Sequence, residues 1–174
     1  MARRYDDTAM AILRGDGVLF PKVWDPARTG LASRPPGYPL FLASVYTTVG
    51  RSFPVVAAAQ DVLTSLAALL IFAFAYRLFG LGAGVLGGFL VAISPHIAAT
   101  SNLILADAVA SIPLLVAFLI ALPAIQGGLS ERKTILRLLA MGALVGVGVW
   151  IRPNVVLLGP FAAVFLFFLL GRNK

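Results

Sequence analysis

Apolar residues dominate the chain after residue 37, in runs that are longer than the helices of a soluble core. Such runs predict helices that cross a membrane, because an α-helix satisfies its own backbone hydrogen bonds inside the bilayer. We therefore predict an all-α integral membrane protein with about five transmembrane helices. The spans fall at about residues 54–76, 82–100, 106–125, 135–151 and 155–171.

Two shorter segments precede the spans. Residues 1–37 form a polar N-terminal arm, in which apolar side chains recur with helical spacing at Tyr5, Ala9, Ile12 and Leu13. This stripe predicts a short amphipathic helix that lies on the membrane surface or against the rest of the protein. Residues 38–50 are apolar but too short to cross, so they predict an interfacial helix, and residues 51–174 form the transmembrane bundle.

The arm is joined to the apolar part of the chain by a proline segment, Pro35-Pro-Gly-Tyr-Pro39, which follows Arg34. Proline fixes its own φ angle and restricts the residue before it, so the segment predicts a rigid turn, with Gly37 allowing the turn. Tyr38 is expected at head-group depth, where an aromatic ring with a polar tip is favoured. The alternative is that the segment only marks where the chain enters the membrane.

Two glycine pairs with a spacing of four residues lie within predicted spans, at Gly84 and Gly88 and at Gly142 and Gly146. Small residues at this spacing allow helices to approach closely in a membrane. We therefore predict that all four glycines face neighbouring helices.

Composition supports the membrane class and limits the chemistry. The chain is 60% hydrophobic and 12% charged, which excludes an ordinary soluble domain. It contains no cysteine, so disulfides and thiolate metal sites are excluded. The net charge of +7 favours anionic head groups or phosphorylated ligands. We predict no nucleic-acid partner, because the basic residues form no continuous patch with interleaved aromatic residues.

Basic residues in the short loops indicate the orientation. The loops near Arg77, at residues 126–137 and at the C-terminus hold six Lys or Arg, against one, Arg152, in the short loops of the other face. This difference predicts that the Arg77 face is cytoplasmic and that the arm lies outside. Counting the basic residues of the arm itself gives nearly the opposite result.

Four blocks of sequence resemble one enzyme family. They are Tyr5-x3-Ala9-x3-Leu13-x-Gly15-x-Gly17; RPPGYPLFLA (residues 34–43) with Gly50 and Gln60; Tyr76-Arg-Leu-Phe-Gly80 with Ser94-Pro95 and Leu105-x-Asp107; and Gly142-x3-Gly146 with Ile151-Arg-Pro-Asn154. In this order they resemble the N-terminal part of GT-C glycosyltransferases of family 39 and related groups. These groups include protein mannosyltransferases and lipid A aminoarabinose transferases.

The resemblance implies that a sugar moves from a polyprenyl-phosphate donor to a glycan, lipid or protein acceptor outside the cytoplasm. The setting would be a bacterial or archaeal plasma membrane, in contact with its lipids. Asp6 and Asp7 are the candidate bases in the arm, and Asp107 matches an acid that organises the phosphate or a divalent metal in the family. The candidate phosphate-binding residues on this face are Lys22, Arg28, Arg34, Tyr38 and Arg152.

The match also departs from the family at one position. The family's catalytic acid lies four residues before the tyrosine that matches Tyr5, and this chain has Met1 there. This departure predicts a fragment, a misplaced start or a degenerate copy. The alternatives are a non-enzymatic scaffold and a small transporter, although the internal symmetry and broken helices of transporters are not evident.

Several candidate residues also have structural interpretations. Asp6 and Asp7 could serve only to stabilise the start of the arm helix. Asp61 could be an interfacial helix cap, and Arg152 could extend from a helix end towards the head groups. His96 has no partner in the sequence that would make it a metal ligand.

The predicted orientation can be tested by labelling, because the chain is free of cysteine. We expect Lys22→Cys to react with a membrane-impermeant maleimide in intact cells, and Lys133→Cys to react only after the cells are opened. Labelling of Lys133→Cys from outside would show that the orientation is inverted.

Overall fold

The computed structural model describes residues 2–16, 35–95, 105–127 and 129–157, and the single positions 97, 99, 103, 160 and 164. Within them six α-helices follow one another. They are α1 (Ala2–Leu13), α2 (Gly37–Val49), α3 (Phe53–Phe79), α4 (Leu81–Ala92), α5 (Asp107–Gln126) and α6 (Glu131–Ile151), and a 3₁₀ turn, Pro153–Leu157, follows α6. The described part of the chain contains no strand, which confirms the all-α prediction.

Three of these helices are long and apolar enough to cross a bilayer: α3, α5 and α6, with mean hydropathy of 2.0, 2.5 and 1.9 in their most apolar stretches. Helix α4 is apolar but shorter. The predicted span at residues 155–171 lies mostly outside the described residues, and the division of the chain into arm, interfacial helix and bundle stays a prediction.

The ends of the helices follow from their sequence. Pro54 lies in the first turn of α3, where its missing N–H has no partner to lose. Gly80, with a φ of 89°, separates α3 from α4 and allows the chain to reverse. Helix α4 ends at Ala92, short of the predicted limit at residue 100, because Pro95 disfavours a helical conformation at Ser94.

The helices pack as two hairpins, α3 with α4 and α5 with α6, and α3 also contacts α5. The main apolar core lies at one end of this assembly and takes residues from α1, α2, α3, α5 and α6. A second cluster, Ala117, Ala121 and Met141, joins α5 to α6 further along. We call the end that holds the main core the arm end, because α1 packs there.

The two predicted glycine pairs behave differently. A Cβ atom added at Gly84 would lie 2.9 Å from Tyr76 Cβ, and one at Gly88 would lie 3.0 Å from Phe72 Cβ, so both glycines allow α4 to approach α3. This part of the prediction is confirmed. For Gly142 and Gly146 the prediction is wrong within the described residues, since no described atom lies within 4 Å of an added Cβ. In α6 it is Gly148 that packs, since a Cβ atom added there would lie 3.3 Å from side-chain atoms of Leu114 and Val155.

This difference gives a matched pair of variants. Gly88→Leu should lower the free energy of unfolding by about 1–3 kcal/mol, because the larger side chain forces α4 away from α3. Gly146→Leu should cause no loss, since leucine fits an open helix face and favours the helix. Thermal unfolding of both variants in mild detergent measures this, and equal stability of the two would show that Gly88 is not a packing position.

Candidate functional site

The arm helix α1 is held at the arm end by aromatic and apolar contacts. The ring of Tyr5 meets that of Tyr38 edge-on, with centroids 4.8 Å apart, and Ala9 is fully buried in the main core. The arm helix therefore packs on α2, one of the two settings expected for its amphipathic stripe.

Asp6 anchors α1 through a buried network of hydrogen bonds. Its side chain accepts a hydrogen bond of 2.9 Å from the hydroxyl of Tyr46 and one of 3.1 Å from Nε of Arg51. A second bond joins Arg51 Nη2 to the other carboxylate oxygen, and Asp6 is only 3% exposed. A carboxylate with this many charge-assisted donors is held in place and is shielded from ligands.

The protonation of its partners fits this arrangement. Burial, together with the hydrogen bond to Asp6, raises the pKa of Tyr46 to about 12, so the phenol stays protonated and keeps donating. The hydrogen bond to Asp6 also raises the pKa of Arg51 above its ordinary value. Arg51 lies 5.7 Å above the ring of Phe53, which adds a cation–π contact.

Asp7, the neighbouring candidate, is exposed. Both residues lie in the second turn of α1, which begins at Ala2, so the idea that they stabilise the first turn of this helix is wrong. The two candidate bases of the arm therefore differ in accessibility, and only Asp7 is open to solvent.

The proline segment is closely packed on the bundle. A Cβ atom at Gly37 would lie 2.7 Å from the carbonyl oxygen of Trp150 and 2.9 Å from Cα of Ile151. Glycine is therefore needed at position 37 because the proline segment lies against the backbone at the end of α6. The predicted role of Gly37 in a turn does not explain this requirement.

Tyr38 is fully buried, so the expectation that its polar tip faces the head groups is wrong. Its hydroxyl donates a 3.0 Å hydrogen bond to Oε1 of Gln60, which is 1% exposed. Nε2 of Gln60 donates to the carbonyl oxygens of Leu103 and Leu105 at 3.1 and 3.2 Å. One amide thus connects the proline segment, α3 and the chain that leads into α5.

Asp107 and Arg152 form an ion pair at the same end. Asp107 is the first residue of α5, and Arg152 directly follows α6, where its N–H bonds to the carbonyl of Gly148 at 2.8 Å. A carboxylate at a helix N-terminus and a cation at a helix C-terminus both interact favourably with the helix dipole. Their side chains are 38% and 41% exposed, so a ligand can reach the pair.

Other candidates are not brought into the site. Lys22, Arg28, Arg34 and His96 lie outside the described residues. Asp61 is not a helix cap, because α3 begins at Phe53 after Ser52, and Asp61 lies in the third turn. The described residues contain no group of three or more His, Cys, Asp or Glu that could hold a metal ion.

Comparison with known proteins assigns the family. The sequence profile of the family described as dolichyl-phosphate-mannose-protein mannosyltransferase matches residues 33–174, which is more than half of the chain. The chain belongs to this family. Its fold and apolar helices agree with a membrane glycosyltransferase of the GT-C type. No curated protein and no solved structure matches the chain.

The family match includes the proline segment, Gln60 and the Asp107–Arg152 pair, whereas α1 with Asp6 and Asp7 precedes it. Sequence reasoning missed the parts played by Gln60, Tyr46 and Arg51. The one available signal was an amide in an apolar helix, since Gln60 interrupts a run of apolar residues in a predicted span.

The Tyr38–Gln60 bond can be tested by a double-mutant cycle. Tyr38→Phe should destabilise the protein by about 1–3 kcal/mol, because it leaves the buried Gln60 oxygen without its donor. In a Gln60→Leu background the same change should cost less, by about 0.5 kcal/mol or more, because that oxygen is already gone.

The matched control is Thr47→Val on the same helix, whose exposed hydroxyl donates to the carbonyl of Ser44 at 2.7 Å. It should change stability by less than about 0.5 kcal/mol. Additive effects of Tyr38→Phe and Gln60→Leu in detergent unfolding would contradict the bond.

Proposed function

We propose that this chain takes part in the transfer of a sugar from a polyprenyl-phosphate donor to an acceptor outside the cytoplasm. The single observation that carries the proposal is the accessible Asp107–Arg152 pair at the arm end, within the part that matches a family named for dolichyl-phosphate-mannose. The arm end would then face away from the cytoplasm, as the loop charges indicate.

The chemistry explains why an arginine is needed there. In the transfer, the acceptor hydroxyl forms a new bond to the anomeric carbon of the sugar while the bond from that carbon to the phosphate oxygen breaks. Negative charge accumulates on the leaving phosphate, and a guanidinium stabilises it with paired N–H donors. Asp107 holds Arg152 in position and leaves some of its five donors for the phosphate.

A base must accept the proton that the acceptor hydroxyl loses. Asp7 is the better candidate of the two in the arm, because Asp6 is buried and already bound to Tyr46 and Arg51. A carboxylate that is open to solvent can approach an acceptor and take a proton from it. We therefore assign Asp6 to holding the arm and propose Asp7 for the base.

A divalent metal does not fit Asp107 in this arrangement. The carboxylate is engaged by Arg152, and the described residues supply no group of further acidic or histidine ligands. The neutralisation of the phosphate is therefore assigned to Arg152.

A second candidate function is a non-enzymatic scaffold with the same fold. The observation that favours it is the buried state of Asp6, which makes this acid structural. The scaffold would bind the donor without transferring its sugar. Donor binding without transfer by membranes that contain the wild-type chain would support this alternative over the enzyme.

Asp107→Asn keeps the shape of the side chain but removes its charge. It should lower sugar transfer at least tenfold, which corresponds to about 1.4 kcal/mol of transition-state stabilisation, because Arg152 loses its partner. The measurement is release of labelled sugar from a polyprenyl-phosphate donor by membranes with matched protein levels.

The control is Glu131→Gln, which removes an exposed carboxylate at the start of α6, at the opposite end of the bundle. It should leave transfer unchanged. Full activity of Asp107→Asn would refute the role of the ion pair, whereas equal losses in both variants would indicate a general charge effect.

A further inference from the structure

A groove of about 800 Å³ lies between α3 and α4, and neither Asp107 nor Arg152 lines it. Most of it is apolar, with walls that include Leu69 and Phe72 of α3 and Val85 and Phe89 of α4. Gly88 lies between these walls, where its lack of a side chain keeps α4 close to α3. The groove therefore has the lining expected for a hydrocarbon chain.

One end of the groove is polar. Asp61, Thr64 and Ser65, which lie on one face of α3 at helical spacing, line it together with Ala92. No hydrogen bond or ion pair from another described residue engages the exposed Asp61 carboxylate. An ionisable side chain inside an apolar helix is costly in a membrane and is a functional candidate by default.

The polar end offers acceptors and negative charge. The hydroxyl of Ser65 donates a hydrogen bond of 2.9 Å to the backbone carbonyl of Asp61. This hydroxyl can therefore only accept a hydrogen bond from a ligand. Helix α4 ends at Ala92, which adds the partial negative charge of a helix C-terminus. Phosphate would be repelled here, so this end does not suit the phosphate of the proposed donor, while an ammonium with three N–H donors fits.

The depth of the groove agrees with an amphiphilic ligand. Helix α3 has 27 residues and is about 40 Å long, whereas the hydrocarbon core is about 30 Å thick. With the helix centred in the bilayer, about 5 Å extends beyond the hydrocarbon at each end, so Asp61, about 12 Å along the axis from Phe53, lies about 7 Å inside the boundary and the apolar walls extend deeper. A transmembrane helix, about 30 Å long and 10 Å wide, is several times larger than the groove.

We propose that this groove binds a membrane lipid whose head group carries a primary ammonium. The Asp61 carboxylate would pair with the ammonium, and the acyl chain would lie between α3 and α4. This inference does not depend on the proposed transfer reaction, because it concerns other residues and a ligand group of opposite charge.

The test is native mass spectrometry of the purified chain with lipids of matched acyl chains. Wild type should bind phosphatidylethanolamine at least about fivefold more tightly than phosphatidylcholine, whose quaternary nitrogen has no N–H donor. Phosphatidylglycerol should bind no better than phosphatidylcholine. Asp61→Asn should abolish the preference, and Asp61→Glu should retain most of it.

Val62→Asn is the matched control, because Val62 is exposed on the same helix but does not line the groove. It should leave the lipid preference unchanged. The proposal is overturned if wild type shows no preference, if it prefers phosphatidylglycerol, or if Asp61→Asn binds as wild type does. Binding of a basic helical peptide through Asp61 without lipid preference would also overturn it.

Discussion

The arm end depends on one constraint, which is that polar groups buried among apolar side chains must find hydrogen-bond partners. Gln60 satisfies it by accepting from Tyr38 and donating to the carbonyls of Leu103 and Leu105. Leaving such a group without partners costs more than the hydrogen bond itself contributes. The proline segment and the start of α5 are consequently held against α3 at one position.

The ion pair of Asp107 and Arg152 follows from this arrangement. Gln60 binds the carbonyls of Leu103 and Leu105, which shortly precede α5, and Gly37 lets the proline segment lie against the end of α6. Both residues of the pair are thus positioned by the backbone at the ends of their helices. The buried contact of Asp6 with Arg51 holds α1 at the same end, so the exposed Asp7 has a fixed location.

The sequence predicted those features that depend on length and hydrophobicity. Helices α3 and α5 follow apolar runs, and both Asp107 and Arg152 lie at ends of predicted spans on the same face, although the sequence did not predict their ion pair. Features that depend on which face is covered were not predictable. Gly142 and Gly146 have the same spacing as Gly84 and Gly88, yet only Gly84 and Gly88 lie against a neighbouring helix among the described residues.

Buried polar contacts were missed for a related reason. The partners of Gln60 include two backbone carbonyls, which every residue type has and which a sequence pattern therefore cannot indicate. Its partner on α2, Tyr38, is 22 positions away in the chain. Tyr38 combines an aromatic ring with a polar hydroxyl, which is typical of the membrane interface. Only the packing of α1 and α2 shows that its side chain is buried in the protein. A single amide in an apolar helix was the available indication.

In the proposed function, the arm end receives the phosphate of a polyprenyl-phosphate donor. The most direct measurement is photo-crosslinking with a polyprenyl phosphate that carries a photoreactive group beside its phosphate, followed by peptide mapping of the purified chain. We expect adducts in the proline segment and around Asp107 and Arg152, with competition by unlabelled polyprenyl phosphate. Adducts concentrated instead at residues 77–81 and 126–131, at the opposite end of the helices, would contradict it.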